Sequence, residues 1–358
     1  MKRKVIVATS GGVDSSVAAA LLTNDWEVIG LHITKNDLPG YTDQERLRDK
    51  DSAESAASVA GKLDVPLRFV EAGGEFHRLI DFFCREYNEG RTPNPCVVCN
   101  VNIKWRIMLE TADREGAEFV ATGHYAKVLS EGGAAHLVRG AGGAKDQTYF
   151  LHRLTQKELA RTIFPLSELT KAETRRLAKE LRLPTMERAE SQEICFVGQG
   201  GYAELLRERT PEKIRGGEVI DATGKVIGRH EGYQFYTLGQ RKGLKIALGT
   251  PAYVTAIDAT DARVRLGGAE ELLSRAFAVT GVNWLVPPAP EAPFRALVRI
   301  RYNHDGAPAL VTPRGTDAEV KLDRPVRAVT PGQAAVFYIR DEVVGGGWIA
   351  PRPAADVS

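Results

Sequence analysis

The chain has 358 residues, with 48 Lys plus Arg against 46 Asp plus Glu and a formal net charge of +2. That near-balance excludes a polybasic tail and an acidic disordered chain, but not a local basic face. Composition, at 43% apolar and 26% charged with only 4 cysteines, is that of a globular protein rather than a disulfide scaffold. At about 150 residues per domain, two or three domains are expected. No stretch approaches the roughly 18 apolar residues of a membrane span, so no membrane association is expected. The N-terminus begins basic, but its apolar run covers only Val5–Ala8 before a glycine loop and Asp14 interrupt it. No signal peptide is read there, and a cytoplasmic, reducing compartment is expected, where a cysteine tends to be chemical rather than structural.

In chain order, Lys4–Ala8 reads as a buried strand and Val13–Thr23 as a helix. Glu27–Ile33 is a second strand, Asp43–Leu63 a long charged helix, Leu67–Glu71 a third strand and Glu75–Glu89 a helix. Asn100–Glu115 reads as a helix and Glu118–Thr122 as a strand. Strands alternating with helices predict parallel β-α-β units, an α/β doubly wound sheet. Thr155-Gln-Lys-Glu158 and Thr170-Lys-Ala-Glu173 are capping-box patterns that open two further helices. The second of these carries Arg175, Arg176, Lys179 and Arg182 and stops before Pro184. After about residue 200 the texture changes. Turn signals at Ala222-Thr-Gly-Lys, Asp258-Ala-Thr-Asp and Pro313-Arg-Gly-Thr separate Val-rich runs such as Tyr253–Ile257, Arg263–Leu266, Ala296–Ile300 and Ala334–Ile339. These predict strands of small β-barrels or sandwiches. Pro287–Pro293 reads as a rigid loop and Pro351–Ser358 as a mobile tail.

Ser10-Gly-Gly-Val-Asp-Ser-Ser16 lies between the first strand and the first helix. Gly11 and Gly12 let backbone N–H groups approach phosphates, and the helix N-terminus adds partial positive charge. Ser10, Ser15 and Ser16 add hydroxyl donors, and Asp14 suits Mg²⁺ better than phosphate. The chain has no GxxxxGK[ST] loop, so this is not a Walker-type site. The heptapeptide resembles the PP-loop signature of the ATP-pyrophosphatase superfamily. That resemblance implies attack of a substrate oxygen on the α-phosphate of ATP and loss of pyrophosphate.

Cys84 lies on an apolar helical face and reads as a core thiol. Cys96 and Cys99 form a CxxC just before a helix, where the helix N-terminus is expected to favour thiolate. Cys195 lies far downstream in Ser191-Gln-Glu-Ile-Cys-Phe196. A thioredoxin-like redox pair is one reading, but the fold context is wrong for it. A Cys₄ zinc site is another, but too few cysteines remain once Cys84 is set aside.

Further motifs recur in order: RTPNPxxxCN, ATGHYA at 121–126, KDQTYFL at 145–151, SQEICF at 191–196, HxGxxxYTLGQRKGL at 230–244 and TPGQAAVFY at 330–338. With the PP-loop they resemble the tRNA-specific 2-thiouridylase family over essentially the whole chain. The resemblance implies a PP-loop (adenine nucleotide alpha hydrolase-like) domain over 1–200 with the catalytic cysteines, a small central β-domain over 201–270 and a C-terminal β-barrel over 271–358 that contacts tRNA. It implies ATP-dependent 2-thiolation of the wobble uridine, with Cys195 carrying a persulfide from a cysteine desulfurase or sulfur-relay protein and Cys99 as nucleophile. It places Ala8, Thr9, Ser10, Gly11, Gly12, Val13, Asp14, Ser15, Thr34 and Gly123 around the nucleotide, with Mg²⁺ on Asp14. It places Asn94, Pro95 and Cys96 at the target base. His124, Lys145, Asp146, Gln147, Arg301, Tyr302 and Gln333 are its tRNA-contact positions. A uridine in a stacked anticodon loop must be splayed out to react, and phosphate contacts must hold the register. Arg175, Arg176, Lys179, Arg207, Lys213, Arg241 and Lys242 are further candidates for those contacts, the LGQRKGL cluster being the densest.

The chain departs from the family pattern at one position. An aspartate is expected after the PNP, and Cys96 stands there. Three cysteines in this arrangement resemble the ligand set of iron–sulfur-dependent tRNA thiolases of the same superfamily. A [4Fe–4S] cluster on Cys96, Cys99 and Cys195 is therefore an alternative to the persulfide route. Other readings are an amide- or carboxyl-adenylating enzyme, which needs neither Cys99 nor Cys195, and a non-catalytic sulfur carrier or RNA-binding protein, which needs no PP-loop.

Overall fold

Val5, Ile6 and Val7 are fully buried because both faces of β1 (Arg3–Ala8), a strand paired on both edges, are covered: Val5 and Val7 lie in one core and Ile6 in another. The computed structural model describes residues 2–35, 42–190, 194–198, 200–244, 246 and 251–351. The expected tail beyond Pro351 and the first three residues of the SQEICF motif lie outside the described residues. From β1 the chain runs through α1 (Val13–Leu22), β2 (Trp26–Thr34), α2 (Asp43–Leu63), β3 (Leu67–Glu71) and α3 (Gly73–Asn88). α4 (Pro95–Cys99) passes through a π-helical turn, Asn100–Trp105, into α5 (Arg106–Glu115), and β4 (Phe119–Ala121) follows. A hairpin, β5 (Lys127–Glu131) and β6 (Ala134–Val138), precedes α6 (Gln156–Ala160), β7 (Thr162–Ile163) and α7 (Lys171–Glu180). The sheet order is β3-β2-β1-β4-β7, and every pairing is parallel. Chain direction diverges between β1 and β4, so the loops leaving their C-terminal ends frame the crevice where such sheets bind ligands.

Both expected capping boxes form: Thr155 accepts from the Glu158 amide and Thr170 from the Glu173 amide. Two boundaries differ from expectation. The CxxC does not precede a helix but occupies its first turn, because Pro95 sits at N1, where its missing N–H is no loss. Arg182 is not helical. α7 ends in a Schellman cap, with the Leu183 N–H on Ala178 O and the Arg182 N–H on Lys179 O. Arg182 takes the left-handed position at φ 49°, and Leu183 is driven into the core.

The central part opens with α8 (Gly201–Arg209), a helix that the strand-rich reading did not anticipate. It continues with β8 (Gly217–Ile220), β9 (Val226–His230), β10 (Tyr253–Asp258) and β11 (Arg263–Gly267), in the order β10-β11-β8-β9. The last part comprises β12 (Leu273–Trp284), β13 (Phe294–Arg299), β14 (Ala307–Arg314), β15 (Asp317–Arg327), β16 (Ala334–Ile339) and β17 (Glu342–Ile349). β12 pairs with both β15 and β17, which closes β12-β15-β14-β13-β16-β17 into a six-stranded barrel. The three expected turns fall at 222–225, 258–261 and 313–316, between β8 and β9, β10 and β11, and β14 and β15.

β16 explains how the barrel meets the parallel-sheet part. Its apolar run is buried on both faces. Ala335 and Phe337 point into the barrel core, whereas Ala334, Val336 and Tyr338 join the core of the N-terminal part. Beside them Asp146, only 5% exposed, accepts from Arg299 Nη1 at 2.7 Å and from Thr148 Oγ1 at 2.8 Å. Arg299 also donates to Tyr302 O and His304 O. Removing one partner of a buried ion pair leaves the other charge desolvated. Arg299→Ala is therefore expected to destabilise the fold by about 3 kcal/mol. Urea unfolding at neutral pH measures this, and a loss below about 1 kcal/mol would mean that the pair contributes no more than an exposed one.

Candidate nucleotide and thiol site

The PP-loop is braced from within. Ser15 Oγ and Ser16 Oγ both donate to Gly12 O, at 3.1 and 2.7 Å, and the Ser10 and Ser15 hydroxyls lie 3.1 Å apart. Thr9 donates to Leu31 O through its N–H at 2.8 Å and its hydroxyl at 3.1 Å. No side chain caps α1, whose N-cap is Gly12. The first-turn N–H groups of such a helix face outward for an anion. Ala8 and Val13 flank the loop, and Thr34, buried at the end of β2, donates to Glu71 at 2.6 Å. Gly123 is needed for a contact inside the chain. A Cβ there would lie 2.7 Å from the backbone of Asp14 and Ser15, so the turn after β4 packs directly on the start of α1.

Asp14 is not free. Its carboxylate accepts from Lys171 Nζ at 2.7 and 2.8 Å and from the Tyr125 hydroxyl at 3.0 Å. Lys171 also reaches Glu190 at 3.0 Å, and Lys145 holds Glu190 at 2.9 Å. Hydrogen bonds from Lys145 and Lys171 hold the Glu190 carboxyl down at about 2. Sequence reading found Asp14 and Lys145 but missed Lys171 and Glu190; the Thr170 capping box, which fixes the first turn of α7, was the available signal. It also missed His32, a buried ring whose Nδ1 lies 2.6 Å from Thr9 O and whose Nε2 has no partner.

Cys99 is only 5% exposed, Cys96 is half-buried and Cys195 is exposed. The expectation of helix-stabilised thiolates is corrected here. Burial pushes the Cys99 thiol up to about 12 and raises Cys96 as well. In a dry site desolvation outweighs the dipole of one short helical segment. The charges of Cys195 and Cys96 raise Cys99 further, and that of Cys195 raises Cys96. The three thiols are nonetheless not gathered as ligands: among the described residues no three His, Cys, Asp or Glu side chains are grouped to hold a metal ion. The thiols as placed do not form a cluster cradle.

Lys104 is the cation of this region, and no motif had singled it out. It is half-buried, its Nζ donates to Asn100 Oδ1 at 3.1 Å, and its charge opposes the burial effect at both Cys96 and Cys99. It also helps depress His124, whose main cause is burial and which lies at about 3. His124 is thus a neutral ring, hydrogen-bonded to Thr122 at 2.8 Å and packed on Trp105. Asn94 and Pro95 are buried at the start of α4.

The remaining expected RNA contacts divide. Gln147 accepts from the Tyr125 N–H at 3.0 Å, and Asp146 faces inward to Arg299. Gln333 donates to Thr92 O and Pro93 O. Arg176, Lys179 and Arg207 pair with Glu180, Glu187 and Glu231, and Arg175 lies 4.0 Å from Glu190. By contrast Lys213, Arg241, Lys242 and Arg301 make no ion pair among the described residues. Arg301 donates to Arg327 O at 3.3 Å, and Arg327 stacks 4.0 Å from the Tyr253 ring, to which Arg241 is also hydrogen-bonded. A basic, partly aromatic surface therefore bridges the central part and the barrel. Tyr302 packs against Phe150 with ring centroids 4.6 Å apart and the planes tilted by 35°, close to Lys145.

Residues 3–199 match the family described as the tRNA methyl transferase HUP domain, residues 203–267 its PRC-barrel domain and residues 274–349 the aminomethyltransferase beta-barrel domain. The chain is 45% identical over 351 residues to tRNA-specific 2-thiouridylase MnmA of Chlorobium phaeovibrioides, covering 96% of this chain and 97% of that one. It is 44% identical over 357 residues to the protein of the same name from Geobacter metallireducens, covering 97% of each. Among solved structures, U34-tRNA thiolase NcsA from Methanococcus maripaludis with its [4Fe-4S] cluster shares 18% identity over 59% of this chain and 67% of that one. The TM-score of that likeness is 0.34.

Proposed function

Since the chain belongs to the tRNA-specific 2-thiouridylase family and is an enzyme of the tRNA sulfurtransferase kind, we propose that it thiolates the wobble uridine of tRNA at C2, with ATP, in the cytoplasm. The observation that carries the reading is the pairing of an open PP-loop helix start with a buried Cys99 and an exposed Cys195. The uridine 2-oxygen attacks the α-phosphorus of ATP, the bond to the bridging oxygen breaks and pyrophosphate leaves. An oxygen that was a poor leaving group now departs as AMP. A single hard carboxylate completed by nucleotide phosphates suits Mg²⁺, so Asp14 would hold it, and the ion would neutralise charge on the departing pyrophosphate.

Cys195 is open to a protein donor and takes the sulfur as a persulfide, from a cysteine desulfurase or a relay protein. Cys99, sheltered from solvent, acts within the site. It attacks C2 and expels AMP, and is then displaced from C2 by hydrosulfide that an external dithiol frees from the Cys195 persulfide; or it attacks the Cys195 Sγ, releasing the outer sulfur as hydrosulfide that displaces AMP from C2, and leaves a Cys99–Cys195 disulfide. An external dithiol then returns both thiols. The sulfur steps run on the thiols, which among the described residues are not grouped as ligands of a cluster. Lys213, Arg241, Lys242 and Arg301 hold the tRNA backbone, so binding weakens steeply with salt.

The test is pyrophosphate release from purified protein with and without tRNA transcripts, followed by nucleoside analysis. Release should depend on tRNA, and 2-thiouridine should form once a persulfide donor is added. ATP cleavage that is equal without tRNA, together with no thionucleoside, would sink the reading. Full activity in protein free of iron and acid-labile sulfide is the companion expectation.

A further inference from the structure

Four charges of alternating sign stand in a row between the PP-loop and the surface. Asp14 accepts from Lys171 Nζ at 2.7 and 2.8 Å. The same Nζ lies 3.0 Å from Glu190 Oε1, and Lys145 Nζ donates to Glu190 Oε2 at 2.9 Å. Lys171 and Glu190, the inner two, are each shared between two partners. An ammonium has three N–H groups, and Lys171 already spends them on three carboxylate oxygens. What Glu190 gains from Lys171, Asp14 loses. The Tyr125 hydroxyl also donates to Asp14 at 3.0 Å, and Arg175 lies 4.0 Å from Glu190.

The two ends of the row face different ligands. Asp14 stands in the first turn of α1, at the open start of the helix. Lys145 is the outer end: 44% of its side chain is exposed, against 16% for Lys171. An incoming polyanion therefore meets Lys145 first. Lys145 lies close to Tyr302, the neighbour of Arg301, so a phosphate backbone on that basic surface comes within its reach. A half-exposed lysine–carboxylate pair is weak and is readily exchanged for a phosphate.

We propose that Glu190 is the positioning residue that couples RNA binding to the ATP site. When an RNA phosphate takes Lys145, the second oxygen of Glu190 loses its donor and draws the Lys171 ammonium off Asp14. The Asp14 carboxylate, still held by Tyr125, is then open to the cation that accompanies ATP. Without RNA, Lys171 occupies that carboxylate and competes with the cation. The inference deepens the thiolase reading and rests on it: it gives tRNA-dependent pyrophosphate release a physical cause.

The test reads binding rather than turnover. The probes are α,β-methylene-ATP with Mg²⁺ and an unmodified transcript of a tRNA with a wobble uridine. Calorimetry compares the full-length parent, Glu190→Gln, Lys145→Met and the double variant. In the parent the transcript should tighten the nucleotide about 5- to 20-fold, and the nucleotide should tighten the transcript by the same factor. In Glu190→Gln no second carboxylate competes for Lys171. Its RNA-free affinity for the nucleotide should fall about threefold or more, and the transcript should change it less than about twofold. Lys145→Met should act in the opposite direction, because Glu190 then belongs to Lys171 from the start. Its RNA-free affinity should rise about fivefold, with little further gain from the transcript. A gain of affinity cannot come from misfolding. The double variant should follow Glu190→Gln. Nucleotide binding weakened alike in both single variants would overturn the proposal, and so would full coupling retained in Glu190→Gln. A parent that binds both probes without coupling would defeat the proposal alone. A parent that couples them but makes no 2-thiouridine would defeat the thiolase reading alone.

Discussion

Cys99→Ser is expected to keep tRNA-dependent pyrophosphate release within about threefold of the parent and to lower 2-thiouridine formation by about 10³-fold or more. On the proposed mechanism adenylation draws on the PP-loop, Asp14 and Lys171, and Asp14 and Lys171 are held by Tyr125 and Glu190 rather than by this thiol. Sulfur transfer draws on it directly, because a hydroxyl can neither cleave a persulfide nor form a disulfide. The substitution is nearly isosteric, and its hydroxyl falls in a buried cluster, so some stability is lost without a change of fold. Cys195→Ser separates the two thiol roles. Incubated with a labelled persulfide donor, Cys99→Ser should still accept sulfur on Cys195, whereas Cys195→Ser should accept none there. Loss of ATP binding in Cys99→Ser would contradict the assignment. Cys96→Asp restores the aspartate of the family pattern and should keep activity; activity lost there, with iron found in the parent, would favour a cluster instead.

How much of this was legible beforehand depended on whether the cause was local. β1, α1 and the PP-loop are fixed by a buried apolar run, two glycines and a helix start within sixteen residues, and they lie where the pattern put them. The capping boxes at Thr155 and Thr170 are local chemistry and held for the same reason. Arg182 misled because a left-handed cap usually announces itself by glycine, and here the burial of Leu183 outweighs the cost of a Cβ. Cys99 misled because helix position is visible in a sequence and desolvation is not. Asp146 is a polar residue in a motif, and sequence alone cannot tell a polar group facing RNA from one facing Arg299. Lys104 carried no motif signal, and for Lys171 the Thr170 capping box fixed only its place at the start of α7. Their importance comes from what tertiary packing places beside them: thiols and His124 for the first, Asp14 and Glu190 for the second.

Asp14→Ala should lower adenylation about 10²- to 10³-fold while sparing the thiols. Tyr125 and Lys171 hold the Asp14 carboxylate at the start of α1, in backbone contact with the turn at Gly123. Without it the Lys171 ammonium keeps Glu190, already 3.0 Å away, as its carboxylate partner. On the proposed mechanism the charge developing on the pyrophosphate then lacks the carboxylate that would hold Mg²⁺ beside it. Removing one such preorganised group typically costs about 10²- to 10³-fold in turnover, and that is the expected fall in tRNA-dependent pyrophosphate release. Lys171→Met tests the other half of the pair. It leaves the carboxylate in place, held by the Tyr125 hydroxyl but without its ammonium partner, so the KM for MgATP should change more than turnover does. Persulfide loading on Cys195 should match the parent in both variants, because the donor meets that thiol on an exposed surface. Pyrophosphate release in Asp14→Ala within about threefold of the parent would remove Asp14 from the ATP chemistry. Loss of Cys195 loading in the same variant would point to a misfolded loop rather than a missing charge.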